Sequence, residues 1–162
     1  MRTLLVILLA TLGLGAAENL LTNGDFEAGT SGWSNNGGEL SVVKDRAVSG
    51  QALKISMKAP GERNISQKLS TPIAGQTLTI SGKAFLDEAN DWKPTLIYMF
   101  TQNAEFQKID WKVLKMVQQA DDWNSFSVDA AIPNEAVHVT IGVFAKDSAG
   151  TIWLDDLSVT AK

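Results

Sequence analysis

The sequence predicts an all-β fold, an antiparallel β-sandwich, on three observations. Apolar residues recur with a period of two, turn-forming residues punctuate the chain at short intervals, and no long window carries the period of an amphipathic helix. About ten short strands with no crossover helices leave two antiparallel layers as the architecture.

The strands follow in order. Glu39–Lys44 is the first after a turn signal at Asn35-Asn36-Gly37-Gly38. Gln51–Met57 sets Leu53, Ile55 and Met57 on one face against Lys54 and Ser56, and a turn at Ala59-Pro60-Gly61 separates it from Asn64–Leu69. Thr77–Leu86 sets Leu78, Ile80, Ala84 and Leu86 against Thr79, Ser81, Lys83 and Phe85. Thr95–Thr101, Gln107–Lys115, Ser125–Ala131, Ala136–Phe144 and Thr151–Thr160 complete the set. Lys108 to Gln119 resembles a helix in composition, but the alternation of Ile109, Trp111 and Val113 reads as a strand.

Arg2 precedes an apolar run ending at Leu14, and Gly15-Ala16-Ala17 supplies the small residues of a cleavage site, so residues 1–17 read as a secretory signal peptide. The run is too short for a membrane-spanning helix of about 20 residues. Residues 18–162 then form one secreted domain, extracellular or periplasmic, expected as a monomer without a membrane span. The sequence has no cysteine, so disulfides are excluded and stability rests on the core and a bound metal. The net charge of −4, with no cluster of Lys and Arg, argues against nucleic acid as a partner and leaves neutral sugars compatible.

Two stretches at the ends carry carboxylates among apolar residues: Asn19-Leu20-Leu21-Thr22-Asn23-Gly24-Asp25-Phe26-Glu27 and Gly150-Thr151-Ile152-Trp153-Leu154-Asp155-Asp156-Leu157-Ser158-Val159. Domain termini tend to lie close together. Pairing of these two stretches as strands brings Asp25, Glu27 and Asp155 near one another, and an oxygen-only set of this kind suits Ca²⁺. The alternative is that Asp25 and Glu27 cap turns and are solvated.

Aromatic side chains are the candidates for a sugar platform, because the C–H faces of pyranose rings stack on them while hydroxyls seek polar neighbours. Trp33 and Trp153 read as core packing. Trp92 lies in the polar stretch Asp87 to Pro94, where a core contact is least expected. Trp111 alternates with Ile109 and Val113, which points its ring inward unless a bulge turns it out. Tyr98 and Phe85 sit on central strands, and Gln102 at a strand end offers an amide to a hydroxyl. The candidate carbohydrate contacts are therefore Phe85, Trp92, Tyr98, Gln102 and Trp111.

Catalysis has little support. His138 is the sole histidine and lies on a strand, and no nucleophile triad, zinc-ligand cluster or phosphate loop is present. The pairs Asp87/Glu88, Asp121/Asp122 and Asp155/Asp156 are adjacent residues that point to opposite faces of a strand, so none forms a glycosidase dyad by itself.

The opening N-L-L-x-N-G-D-F-E-x-G with Gly32-Trp33, the stretch Ala47-Val48-Ser49-Gly50-Gln51-Ala52-Leu53-Lys54-Ile55 and the closing G-T-I-W-L-D-D-L-S-V together resemble the carbohydrate-binding modules of the family 4/9/22 type, across almost the whole of residues 18–162. The resemblance implies a galactose-binding-domain-like jelly roll, a polysaccharide or oligosaccharide partner and a structural calcium. It also implies the ligands: Asp25, Glu27, the backbone carbonyl of Gln51, and Asp155, with Asp156 alternating to the other side. Trp123 matches a tryptophan that caps the sheet edge. The rival readings are an envelope or adhesive sandwich without glycan binding and a small hydrolase.

Overall fold

The computed structural model describes residues 17–71, 73–87, 95–117 and 122–162. The leader up to Ala16, Trp92 and Asp121 lie outside the described residues. Among the described residues there are eight strands: β1 (Ser34–Asn36), β2 (Glu39–Val43), β3 (Ala52–Lys68), β4 (Thr77–Leu86), β5 (Thr95–Gln102), β6 (Lys108–Val117), β7 (Asn124–Ala131) and β8 (His138–Ala161). Every pairing is antiparallel.

Two strands, β3 and β8, are long enough to serve both layers of the sandwich. The first half of β8 lies between β5 and the second half of β3, with β6 beyond β5 and β1 beyond β3. This is layer one. The second half of β8 lies between β4 and the first half of β3, with β7 and β2 outside them, forming layer two.

Here the structure corrects the expected strand count. The turn at Ala59-Pro60-Gly61 is a bend within β3, where the register with β8 shifts between Met57 and Gly61 and again before Arg63. A proline is tolerated at such a site because the ladder is already interrupted. The stretches expected as strands ending at Phe144 and beginning at Thr151 are likewise one strand. Asn35 and Asn36, expected in a turn, pair with Ile65 and Asn64 as part of β1.

The stretch that opens at Asn19 and the closing stretch lie side by side, as the pattern of their residues predicts. Leu20 donates its N–H to Val159 O at 2.7 Å, Leu157 donates to Gly24 O at 2.9 Å, and the Asn19 amide bridges Leu157 O and Val159 N at 3.1 and 2.9 Å. The opening segment is not a strand, however, because Asn23 and Phe26 adopt left-handed backbone angles that break the extended run.

The core fills the space between the layers. Ile65, Ile97, Met99, Ile141 and Val143 of layer one meet Ile80, Phe126, Leu154, Leu157 and Val159 of layer two, and Leu21, Phe26 and Trp33 join them from the opening segment. Each such side chain contributes about 1.5–3 kcal/mol of burial, which carries stability in a chain without disulfides. Trp153 is buried as expected, but on the outer face of layer two rather than between the layers, since it pairs in register with Phe85 and Lys54.

Candidate functional site

The outer face of layer one is built in rows that follow from register. Asn64, Phe144, Leu96 and Met116 form one row; Ser66, Gly142, Tyr98 and Val113 the next; Lys68, Thr140, Phe100 and Trp111 the third; His138, Gln102 and Lys108 the last. The opposite parity of these strands, with Ile65, Ile97, Met99, Val139 and Ile141, faces the core.

Strand β6 reaches this arrangement through two bulges. The register with β5 shifts between Thr101 and Gln102 and between Ile97 and Tyr98, so that Ile109 and Leu114 are extra residues that lean on the core. Each extra residue reverses the alternation. Trp111, which unbroken alternation with Ile109 sends inward, is therefore turned outward and is 39% exposed. Val113 and Met116 are exposed on the same face.

Tyr98 and Trp111 stack with ring centroids 5.9 Å apart and planes 26° apart. The Tyr98 hydroxyl donates to Asn64 Oδ1 at 2.8 Å, and burial raises its pKa above the ordinary phenol value while the bonds to Asn64 and Ser66 pull it back. With Phe100 and Phe144 these residues line an open groove of about 320 Å³. Sequence reasoning found Tyr98 and Trp111 and missed Asn64, Phe100 and Phe144. The signal for Phe100 was available, since it lies two residues from Tyr98 and so on the same face.

The other candidate contacts fall elsewhere. Phe85 is not part of this groove: it lies on β4 in layer two, buried edge-on against Trp153 at 5.6 Å and Trp123 at 6.0 Å, with the Arg46 guanidinium 4.4 Å above its ring. It does share a face with Thr79, Ser81 and Lys83, but that face belongs to the opposite layer. Gln102 is on the layer-one face, yet its amide donates to Phe106 O at 2.7 Å and so is committed to the β5–β6 turn. Trp92 lies outside the described residues.

The residues expected around calcium are only partly gathered. Glu27 Oε1 accepts the Gln51 N–H at 2.6 Å, and the Gln51 amide donates back to Glu27 O at 3.3 Å. Asp155, fully buried, accepts Val48 N–H at 2.7 Å and Ser49 N–H at 3.4 Å through Oδ2 and Asp156 N–H at 2.8 Å through Oδ1. Glu27 and Asp155 thus grip one four-residue loop, Val48 to Gln51. Gly50 sits in that loop with φ +53°, and any side chain there would overlap the Glu27 carboxylate. Asp25 does not join them: it is exposed and accepts the Glu27 N–H at 3.3 Å. Among the described residues no three Asp, Glu, His or Cys side chains converge as a metal-holding group. Asp156, expected on the other side of the strand, sits at φ +52° and accepts Lys83 Nζ at 3.0 Å.

Burial raises the pKa of Asp155, opposed by its three backbone hydrogen bonds, and the neighbouring Asp156 charge raises it further. Among the described residues no lysine or arginine pairs with it. A buried carboxylate in this position gains from a cation nearby.

No family model matches the chain. It is 26% identical over 164 aligned positions to the tRNA nuclease WapA of Bacillus subtilis (strain 168), an alignment that covers 90% of this chain and 7% of WapA. The chain therefore spans only a small part of the length of that curated relative. Among solved structures, the CBM22-1 xylan-binding domain of Paenibacillus barcinonensis Xyn10C superposes with a TM-score of 0.72 at 18% identity, covering 90% of this chain and 96% of that one. A family 16 carbohydrate-binding module superposes with a TM-score of 0.70 at 20% identity over 88% of this chain and 99% of that one. The chain has the β-sandwich fold that these carbohydrate-binding modules share, in agreement with the resemblance of its end motifs.

Proposed function

We propose that this protein is a non-catalytic glycan-binding module that takes a polysaccharide or oligosaccharide across the outer face of layer one. The observation that carries the reading is the outward-turned Trp111 stacked on Tyr98 above an open groove with Asn64 at its wall. A flat ring pair beside an amide matches the two needs of a sugar, an apolar C–H face and hydroxyl partners. The four rows of this face contain no Asp or Glu, so among the described residues it lacks the carboxyl pair that glycoside hydrolysis uses. The similar Paenibacillus module is named as xylan-binding, which makes xylan the first polysaccharide to test.

Export through the leader at residues 1–17 and a structural calcium belong to the same proposal. Glu27, Asp155 and the Gln51 carbonyl are the residues that would hold the ion, and it would supply a positive charge between two carboxylates gripping one loop. The similarity to part of WapA is compatible with a module that recurs inside larger proteins, and the acidic net charge gives no footing for a polyphosphate partner.

A glycan-array screen of residues 18–162, with and without EDTA, tests the reading. Binding to polysaccharides that is lost in Trp111→Ala is expected. A protein that binds no glycan in either buffer is instead the structural sandwich considered above.

A further inference from the structure

The last row of the layer-one face ends in a second aromatic display. Phe106 lies in the turn between β5 and β6, is 63% exposed and holds a left-handed φ of +61°. A bulky residue seldom accepts that angle, and strain of this kind is kept where the surrounding contacts impose it. Asn103 imposes it here: its side-chain oxygen accepts the N–H groups of Glu105 and Gln107 at 3.1 and 2.8 Å, while Gln102 holds Phe106 O. The turn is fastened so that an apolar ring stands in solvent.

Behind that ring stands His138, stacked at 4.3 Å with planes 19° apart, and Lys68 Nζ lies 5.4 Å from the ring centre. His138 Nε2 is buried and has no hydrogen-bond partner among the described residues. Beside the stack opens a groove of about 680 Å³ that includes Lys68, Ser70, Thr71, Val137 and His138. The lining of this groove and the lining of the Tyr98 groove contain no acidic residue, although the chain as a whole is acidic. Lys68 and Lys108 are instead the charges that the last two rows present.

Resting on the glycan reading, we propose that Phe106, His138 and Lys68 form a second subsite, which takes a carboxylated sugar residue of an oligosaccharide whose neutral rings lie on Tyr98 and Trp111. From Tyr98 to Gln102 is four residues along β5, about 13 Å at the rise of a strand, so the two platforms are more than one pyranose ring apart and a chain must span them. Phe106, backed by the stacked His138 ring, supplies the stacking surface, and Lys68 the charge for the carboxylate. Gln102 acts as a positioning residue that holds the turn.

The test titrates the protein with xylohexaose and with a xylo-oligosaccharide carrying one glucuronic acid branch. The acidic probe is expected to bind roughly tenfold more tightly at low salt, with the gain shrinking as salt screens Lys68. Lys68→Met should remove that gain while leaving affinity for the uncharged xylohexaose within about twofold; Phe106→Ala should weaken both probes, the acidic one more, and Phe106→Tyr, which keeps a ring, should retain the gain. Both side chains are exposed, so unchanged melting curves confirm that the variants fold. Equal affinity for the two probes, or variants that weaken both alike, overturns the subsite while leaving the Trp111 platform standing. Binding of neither probe counts against the glycan reading itself, and the subsite falls with it.

Discussion

The Tyr98 side chain lies across Gly142, and its hydroxyl reaches Asn64 on β3, the strand beyond β8, at 2.8 Å. Tyr98 and Gly142 are paired directly in register between β5 and β8, so the ring occupies the space a side chain on β8 would fill. A Cβ at Gly142 would come within 2.7 Å of both the Tyr98 hydroxyl and the Ile65 carbonyl. The aromatic platform therefore exists because one position of the central strand has no side chain.

Gly142→Ala should accordingly lower stability and glycan affinity together. The clash includes a backbone oxygen that cannot swing away, and overpacking of this kind costs about 1–3 kcal/mol. Thermal melting and a glycan titration on the same sample check it. Tyr98→Phe, which removes only the hydroxyl, should cost about 1 kcal/mol of stability and keep the stacking on Trp111.

Trp33 and Trp111 should separate stability from binding. Trp33 is 8% exposed, lies 5.5 Å from Phe26 and donates its indole N–H to Asn23 O at 3.1 Å. Truncation to Ala is expected to cost about 3–5 kcal/mol, measured by urea unfolding, with no direct effect on the sugar face.

Asp155 should give the calcium-free protein a characteristic pH response. A carboxyl whose folded pKa is raised stabilises the fold in its protonated form. Its contribution is complete below the unfolded value of about 3.9 and is lost as pH rises through the raised folded value. Exposed carboxylates with lowered pKa, Glu39 and Asp129, work in the opposite sense, so the comparison is between the wild type and Asp155→Asn in EDTA. The variant is expected to lose less stability on going from acid to neutral pH. Parallel melting profiles for the two proteins would show that the Asp155 charge does not matter.

Calcium should reverse that penalty. An ion that binds only the folded state adds about 2.7 kcal/mol at a concentration 100-fold above Kd, which for a domain of this size is a shift of several degrees. EDTA should lower the melting temperature of the wild type and leave Asp155→Ala unchanged. Because Glu27, Gln51 and Asp155 hold a loop on layer two, glycan affinity should be insensitive to EDTA wherever the fold persists. Identical melting curves for the wild type in calcium and EDTA, with no metal in the purified protein, would refute the site.

Most of the fold could be read from the residues because burial in a two-layer sandwich imposes period-two alternation on each strand. The alternation of Leu78, Ile80 and Ala84, or of Val139, Ile141 and Val143, is the record of that burial. What could not be read is where alternation breaks. The bulges at Ile109 and Leu114 decide that Trp111 faces out, and they depend on how β6 fits against β5 rather than on local sequence. The same holds for layer membership: Phe85 and Tyr98 look equivalent along the chain, but they belong to opposite layers. Phe106, in a short polar turn, gave no periodic signal at all.

Calorimetric titration of xylan fragments into the wild type and Trp111→Ala, with melting temperatures measured in parallel, decides whether the layer-one face binds glycan through Trp111. Saturable binding by the wild type is expected, with a loss of about 1–3 kcal/mol in the variant and melting nearly unchanged because the ring is 39% exposed. Equal affinity in the two proteins, with both correctly folded, would contradict binding through Trp111.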